Sequence, residues 1–485
     1  MGAFGLPFPF TNTSHMIHRP LFLLFCLIAL IGATPVRAQL PPAVTQALQA
    51  AQIPVGSVAV IVQAVDSGTS LIAHNAAAAM NPASVMKLLT TYAALDLLGP
   101  AYTWQTVALA DNVAVNGVLE GNLYLRGSGD PRFAIEHLWL LLRQLRVRGI
   151  ERINGDIVLD RSIFAPVDFD PAAFDNKPQR PYNVGPNGLL LDFQSLRFTL
   201  QPQDGQPRVL LESPSAGLFV DNRLRSTTGA CGSDWKDRIT LAVIPDGHRQ
   251  RLEIQGSYAS QCGERTLNLA PLSADAHAAG LILSLWQELG GRLGGRVRAG
   301  ATPSAALPLA RHESPPLADA VRDINKYSNN VMARQVFLTL GNSGAPASAE
   351  RATRRIGEWL ASRGLDFPEL VVDNGSGLSR SERISAGSMN RLLLDAWKSP
   401  VMPEFIASMP LAGVDGTMKK RLNGAPATGR AHIKTGTLNG VRTAAGYALD
   451  ARGRRYALSF FINDPRAQGG AAAMDALLNW LAEKQ

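Results

Sequence analysis

Three strings, Ser84-Val85-Met86-Lys87, Ser328-Asn329-Asn330 and Lys434-Thr435-Gly436, follow one another in a chain of 485 residues. Each suits a different part of one acyl transfer. A serine hydroxyl is a weak nucleophile until a base takes its proton, and Lys87 lies three residues on, one helical turn away on the same face. Desolvation by Val85, Met86, Leu88 and Leu89 would lower the lysine pKa and leave its amine neutral. Pro82 suits the turn that opens a helix, so Ser84 stands at a helix N-terminus, where free N–H groups favour an oxyanion.

The second string offers a hydroxyl for proton relay, Ser328, and an amide, Asn330, to orient Lys87 and the substrate. The third offers a fixed cation, Lys434, and a hydroxyl, Thr435, both suited to a terminal carboxylate. Gly436 lets a substrate backbone approach closely, and Thr437 would add its N–H to that of Ser84 as an oxyanion hole. No string is sufficient alone. Ser233-Asp234-Trp235-Lys236 repeats the first pattern but is followed by Asp237 and Arg238 and opens no apolar helix. Ser388-Met389-Asn390 repeats the second and reads as a helix N-cap before Leu392-Leu393-Leu394. His432 reads as a packed or solvated strand residue. No histidine or carboxylate cluster has metal-ligand spacing, and no cofactor is expected.

These strings need elements to hold them. Val55 to Gln63 and Ser70 to Ala73 read as a hairpin, Val85 to Leu98 as a helix, and Pro316 to Leu340 as two helices. His432-Ile433, Ala444 to Leu449 and Tyr456 to Ile462 read as strands, with Lys434-Thr435-Gly436 ending the first. Ala471 to Glu483 closes the chain as an amphipathic helix. Strands at both ends with helices between predict an antiparallel sheet covered by helices, completed when the ends meet. Ser84 and Ser328 lie roughly 240 residues apart, against 106 from Ser328 to Lys434. That excess predicts inserted domains at 106–285, the inner one at about 119–180, within a catalytic domain of 39–105 and 286–485. The middle stretch reads as strand-rich: Leu123 to Leu125, Ile157 to Leu159, Arg197 to Leu200 and Arg208 to Leu211, with a helix at Ile135 to Leu145.

Composition is that of a globular protein, 46% hydrophobic and 18% charged. The first 38 residues read as a cleaved secretory signal: His18 and Arg19, an apolar run from Leu21 to Ile31, then Val36-Arg37-Ala38. Met16 is an alternative start. The run is too short to span a bilayer, and Cys26 lies inside it rather than at a cleavage site. Losing Arg19 and Arg37 reduces the net charge from +8 to +6, with no basic stripe, which argues against nucleic acid. Cys231 and Cys262 remain and read as one disulfide in an exported protein. The last helix lacks a basic stripe beside a strongly apolar face, so no membrane anchor is expected. A homo-oligomer stays open.

Beyond the three strings, Gly121-Asn122-Leu123-Tyr124-Leu125 with Gly129-Asp130-Pro131, Asp373 with Gly375-Ser376-Gly377-Leu378-Ser379-Arg380, and Leu411-Ala412-Gly413-Val414-Asp415-Gly416-Thr417 complete a pattern. Together they resemble the D-alanyl-D-alanine carboxypeptidase/endopeptidases, class C penicillin-binding proteins of the penicillin-binding protein 4 type. The resemblance implies an α+β multidomain fold: a serine β-lactamase/DD-peptidase-like catalytic domain with two inserted strand-rich domains. It implies acylation of Ser84 by peptidoglycan stem peptides and by β-lactam antibiotics, in the periplasm. It implies that Arg380 and Asn439 meet the diaminopimelate side chain, Asn439 standing where a relative carries the longer Gln. Asp160 and Phe164 resemble an inserted-domain segment near the site. A serine β-lactamase and a catalytically silent peptidoglycan-binding protein are the alternatives.

Overall fold

A computed structural model describes residues 39–246 and 249–485, so the signal read at residues 1–38 lies outside the described residues. Strand Val58–Ala64 alternates Val58, Val60, Val62 and Ala64 with Ala59 and Ile61, a period of two that buries both faces. It pairs antiparallel with Arg455–Asn463, Val58 opposite Ile462, and with Ser70–His74. Val441–Leu449 and Ala431–Leu438 complete a five-stranded sheet in which the two ends of the chain meet. Ala431–Leu438 is one edge and Ser70–His74 the other. The expected sheet is therefore present, with one difference. Lys434-Thr435-Gly436 lies inside the edge strand rather than at its end, because the strand continues to Leu438 before turning at Asn439-Gly440.

Helices cover both faces. Pro42–Ala50 and Ala471–Glu483 bury Val44, Leu48, Leu477, Leu478 and Leu481 against Val60, Phe460 and Ile462. The opposite face packs on Ala386–Lys398 and shares a core with Met86–Leu98, whose residues from Met86 to Leu95 are all buried, as befits a helix apolar all round. Leu317–Tyr327, Asn330–Leu340, Ala349–Ser362 and Ala386–Lys398 surround it. The N-cap of the last is Ser385, whose side chain accepts from Ser388 N, so the cap expected at Ser388 falls three residues earlier.

Between the serine helix and Leu317, a second five-stranded sheet runs in the order Val297–Ala299, Ile157–Asp160, Leu123–Arg126, Gln105–Ala110 and Leu307–Glu313. Helices Ile135–Val147 and Ala274–Glu288 cover it through Leu138, Leu142, Ile282 and Trp286. Two three-stranded sheets, built from residues 196–211 with 265–269 and from 218–259, share a further core of Phe198, Leu252, Ile254 and Leu267. The second five-stranded sheet reaches Glu313, which pairs with Gln105. Strands Leu123–Arg126 and Ile157–Asp160, within 119–180, belong to it, and 196–269 is nested within it as the two smaller sheets. Cys231 and Cys262 are joined, with an S–S distance of 2.01 Å, beside the nested core. Among the described residues, no helix is long and apolar enough to cross a membrane.

Candidate active site

Asn81-Pro82-Ala83 delivers Ser84 in a turn pinned from three sides. Asn81 N donates to Asn463 Oδ1 (2.8 Å), Asn463 Nδ2 donates to the Asn81 carbonyl (3.1 Å), and Asn81 Nδ2 donates to the Ser379 carbonyl (2.9 Å). Thr443 Oγ1 donates to the Pro82 carbonyl at 2.7 Å. Two glycines permit the close approach. A Cβ on Gly436 would stand 2.9 Å from Ser84 N and 2.2 Å from Thr443 Oγ1, and one on Gly377, at φ +78°, would stand 1.9 Å from the Ala83 carbonyl oxygen. Ser84 occupies a 3₁₀ turn, Ala83–Val85, that leads into the helix. Its hydroxyl caps nothing and faces Lys87, whose Nζ is 3.0 Å from Ser84 Oγ.

Lys87 is fully buried. Its Nζ donates to Asn330 Oδ1 (2.5 Å) and to the Ser376 carbonyl. Burial, then the positive charges of Lys434 and Arg334, push its pKa well below the usual lysine value, while Glu382 opposes the shift. The amine is thus suited to accept a proton.

Helix Leu317–Tyr327 ends on Ser328 in the left-handed conformation (φ 58°, ψ 40°), and Asn329 Oδ1 accepts from Met332 N to cap the next helix. That sharp reversal brings Asn330 to Lys87 and Ser328 to Lys434. Lys434 Nζ donates to Ser328 Oγ at 2.9 Å and to the Thr435 carbonyl at 2.7 Å. Lys434 too is fully buried, and burial pushes its pKa down to about 7. Thr435 Oγ1 lies 3.0 Å from Thr417 Oγ1, joining the edge strand to the 411–417 loop, and Thr437 is exposed two residues on. Contacts thus run from Ser84 through Lys87 to Asn330, from Ser328 to Lys434, and from Gly436 back to Ser84, so three segments far apart in the chain meet.

The remaining sequence-predicted residues divide. Arg380 Nη1 donates to the Asn439 backbone carbonyl (3.3 Å), so the contact at 439 does not depend on the side chain. The Arg380 guanidinium lies 4.5 Å from the centre of the Phe174 ring, which packs with Ala83, Leu438 and Val441 beside the serine turn. Asp160 and Phe164 are both buried. Asp160 Oδ1 accepts from Ser162 N (3.0 Å) and Oδ2 from Thr302 N (2.9 Å), bonds that outweigh burial and keep its pKa low. Phe164 is buried where Gly129 leaves room for its ring. Phe174 is the aromatic beside Arg380. The signal for it was an aromatic in the polar, proline-bearing stretch Asp170-Pro171-Ala172-Ala173-Phe174-Asp175. Sequence reasoning also missed Glu382, fully buried with its pKa raised by burial to about 7.

A serine beside a desolvated lysine, on a helix-covered antiparallel sheet, with a second serine and a buried cation opposite, defines a serine acyl-transferring hydrolase. The chain belongs to the D-Ala-D-Ala carboxypeptidase 3 (S13) family, whose pattern matches residues 40–484. It is 29% identical over 417 residues to the D-alanyl-D-alanine carboxypeptidase DacB of Haemophilus influenzae, covering 85% of this chain and 86% of that one. The crystal structure of penicillin-binding protein 4 from the same organism is 27% identical, with a TM-score of 0.76 over 91% of this chain and 99% of that one. The same protein complexed with a novel β-lactam gives a TM-score of 0.70 at 27% identity, over 90% and 99% of the two chains. The chain is a serine-type D-Ala-D-Ala carboxypeptidase of the penicillin-binding protein 4 type.

Proposed function

We propose that Ser84 is the nucleophile and Lys87 its base, in a reaction that cleaves the terminal peptide bond of peptidoglycan stem peptides. The observation that carries this is the buried Lys87 amine 3.0 Å from Ser84 Oγ. The Ser84 proton passes to Lys87 as Oγ bonds to the carbonyl carbon of the penultimate D-Ala. The Ser84 and Thr437 N–H groups hold the oxyanion. Ser328, bonded to Lys434, relays the proton from Lys87 to the departing amine, and the C–N bond breaks to release the terminal D-amino acid. Water then hydrolyses the Ser84 ester. Lys434, Thr435 and Gly436 receive the substrate's terminal carboxylate and backbone, and Asn330 its amide. Arg380, held over Phe174, receives the carboxylate of a diaminopimelate side chain, with Asn439 at the same rim.

The same chemistry cuts a cross-link when the departing amine belongs to a second stem peptide, which makes the enzyme an endopeptidase too. A β-lactam acylates Ser84 by ring opening, so no leaving group departs and the ester persists. The reading of residues 1–38 as an export signal and the Cys231–Cys262 bond support a periplasmic location.

The test is labelling by a fluorescent penicillin, with mass spectrometry of purified muropeptides after incubation. Wild type should label and release single D-Ala residues and separated dimers, while Ser84→Ala should do neither. An unlabelled wild type would mean a silent binding protein, and rapid turnover of the penicillin a β-lactamase.

A further inference from the structure

Glu382 is a buried carboxylate that the acyl transfer described above does not use. It sits at the end of the 373–381 loop, and its Oε1 accepts from three successive backbone N–H groups, Asp373, Asn374 and Gly375 (3.3, 3.1 and 3.1 Å). Three donors converging on one oxygen suit an anion. Among the described residues its Oε2 is buried with no hydrogen-bond partner. An oxygen left so exposed to a low dielectric is costly, and its retention calls for a reason beyond closing a turn. The loop it gathers carries Ser376, whose carbonyl accepts from Lys87 Nζ, and Gly377, which touches the Ala83 backbone.

We propose that Glu382 is a positioning residue for acylation: it gathers the 373–377 loop that presents the Ser376 carbonyl to Lys87, and through that loop its charge biases the proton occupancy of the Lys87 amine. This rests on Lys87 being the base for Ser84. Beside burial, Lys87 feels the positive charges of Lys434 and Arg334 and the charge of Glu382, which favours the ammonium form. Glu382 is faced in turn by Asp373, an exposed like charge that disfavours its ionisation, and acts on Arg334. Burial is the largest influence on the Lys87 proton, and on top of it two cations act against one carboxylate, which is itself raised mainly by burial and further by Asp373. Without Glu382 the amine would be neutral more readily but also less basic, so the carboxylate matches the base to its task.

Two variants push this balance in opposite directions. Glu382→Gln keeps an acceptor for the three N–H groups and removes the charge, so the acid limb of the pH profile for penicillin acylation should move down by about one pH unit. Asp373→Asn eases ionisation of Glu382 and should move that limb up by roughly half a unit. The measurement is the second-order labelling rate of the full protein from pH 5 to pH 10, with thermal melting as the check on folding. A purely structural role would lower the rate equally at every pH. Limbs that superimpose on wild type, or that move in the same direction, overturn the proposal. Should Glu382→Gln fail to fold, the direction of the Asp373→Asn limb decides alone. An unlabelled wild type would overturn the Ser84 reading together with this one, whereas labelled proteins with unmoved limbs overturn this one only.

Discussion

Replacing Lys434 by Met should raise stability at pH 6 while abolishing most activity. An ordinary lysine titrates at 10.5, and burial brings Lys434 down to about 7. Below that lowered value the folded protein holds an ammonium it would rather lose, and the cost is fully present. It fades as pH rises from about 7 to 10.5, where the unfolded chain also gives up the proton. The gap corresponds to about 4–5 kcal/mol at roughly 1.4 kcal/mol for each tenfold difference in proton affinity. Against it stand the bonds to Ser328 Oγ and the Thr435 carbonyl, worth about 1 kcal/mol each when the amine is neutral. Met fills a similar volume without the charge. Lys434→Met should therefore gain about 2–3 kcal/mol at pH 6 and lose roughly 1–2 kcal/mol by pH 10.5. Thermal melting across that range, with penicillin labelling at each pH, reads both effects. Labelling should fall at least about a hundredfold, since the cation that orients substrate and holds Ser328 is gone. A variant that melts below wild type at pH 6, or whose advantage fails to shrink as pH rises, would refute the idea that this cation is held at the expense of the fold.

Gly377→Ala should abolish labelling with only modest loss of secondary structure: its Cβ would lie 1.9 Å from the Ala83 carbonyl oxygen at φ +78°, forcing the serine turn to move. A labelling rate within threefold of wild type would show that the turn can yield. Removing the Cys231–Cys262 bond by double alanine substitution should destabilise the nested 196–269 structure by roughly 3–4 kcal/mol, from the loop entropy of a 31-residue separation. Limited proteolysis should then cut within 196–269 while the labelling rate stays unchanged, because none of the site's contacts comes from that stretch; a parallel loss of labelling would count against this.

What could be seen in the amino-acid order, and what could not, follows from the range over which each feature is written. Ser84 and Lys87 are three residues apart, so one helical turn is enough to place them, and the alternation of Val58 to Ala64 declares a strand buried on both faces without reference to any partner. Ser328 needs only the local reversal between two amphipathic helices. The sheet boundary at Glu313 is different in kind: it exists because Glu313 lies opposite Gln105, and nothing near either residue specifies the other. The same holds for Phe174, whose meaning comes from a guanidinium two hundred positions later, and for Glu382, which alone in its sequence looks like one more solvated charge between Ser381 and Arg383. Burial is what converts it. A carboxylate gains leverage over a neighbouring amine only once water is removed from both, and removing that water is the collective act of the helices and loops around Lys87 rather than of any short string. The reacting groups are thus local and readable, while the groups that tune them are products of tertiary packing. Engineering the rate or pH range of this enzyme should accordingly begin with residues such as Glu382 and Asp373, which leave Ser84, Lys87 and Lys434 in place.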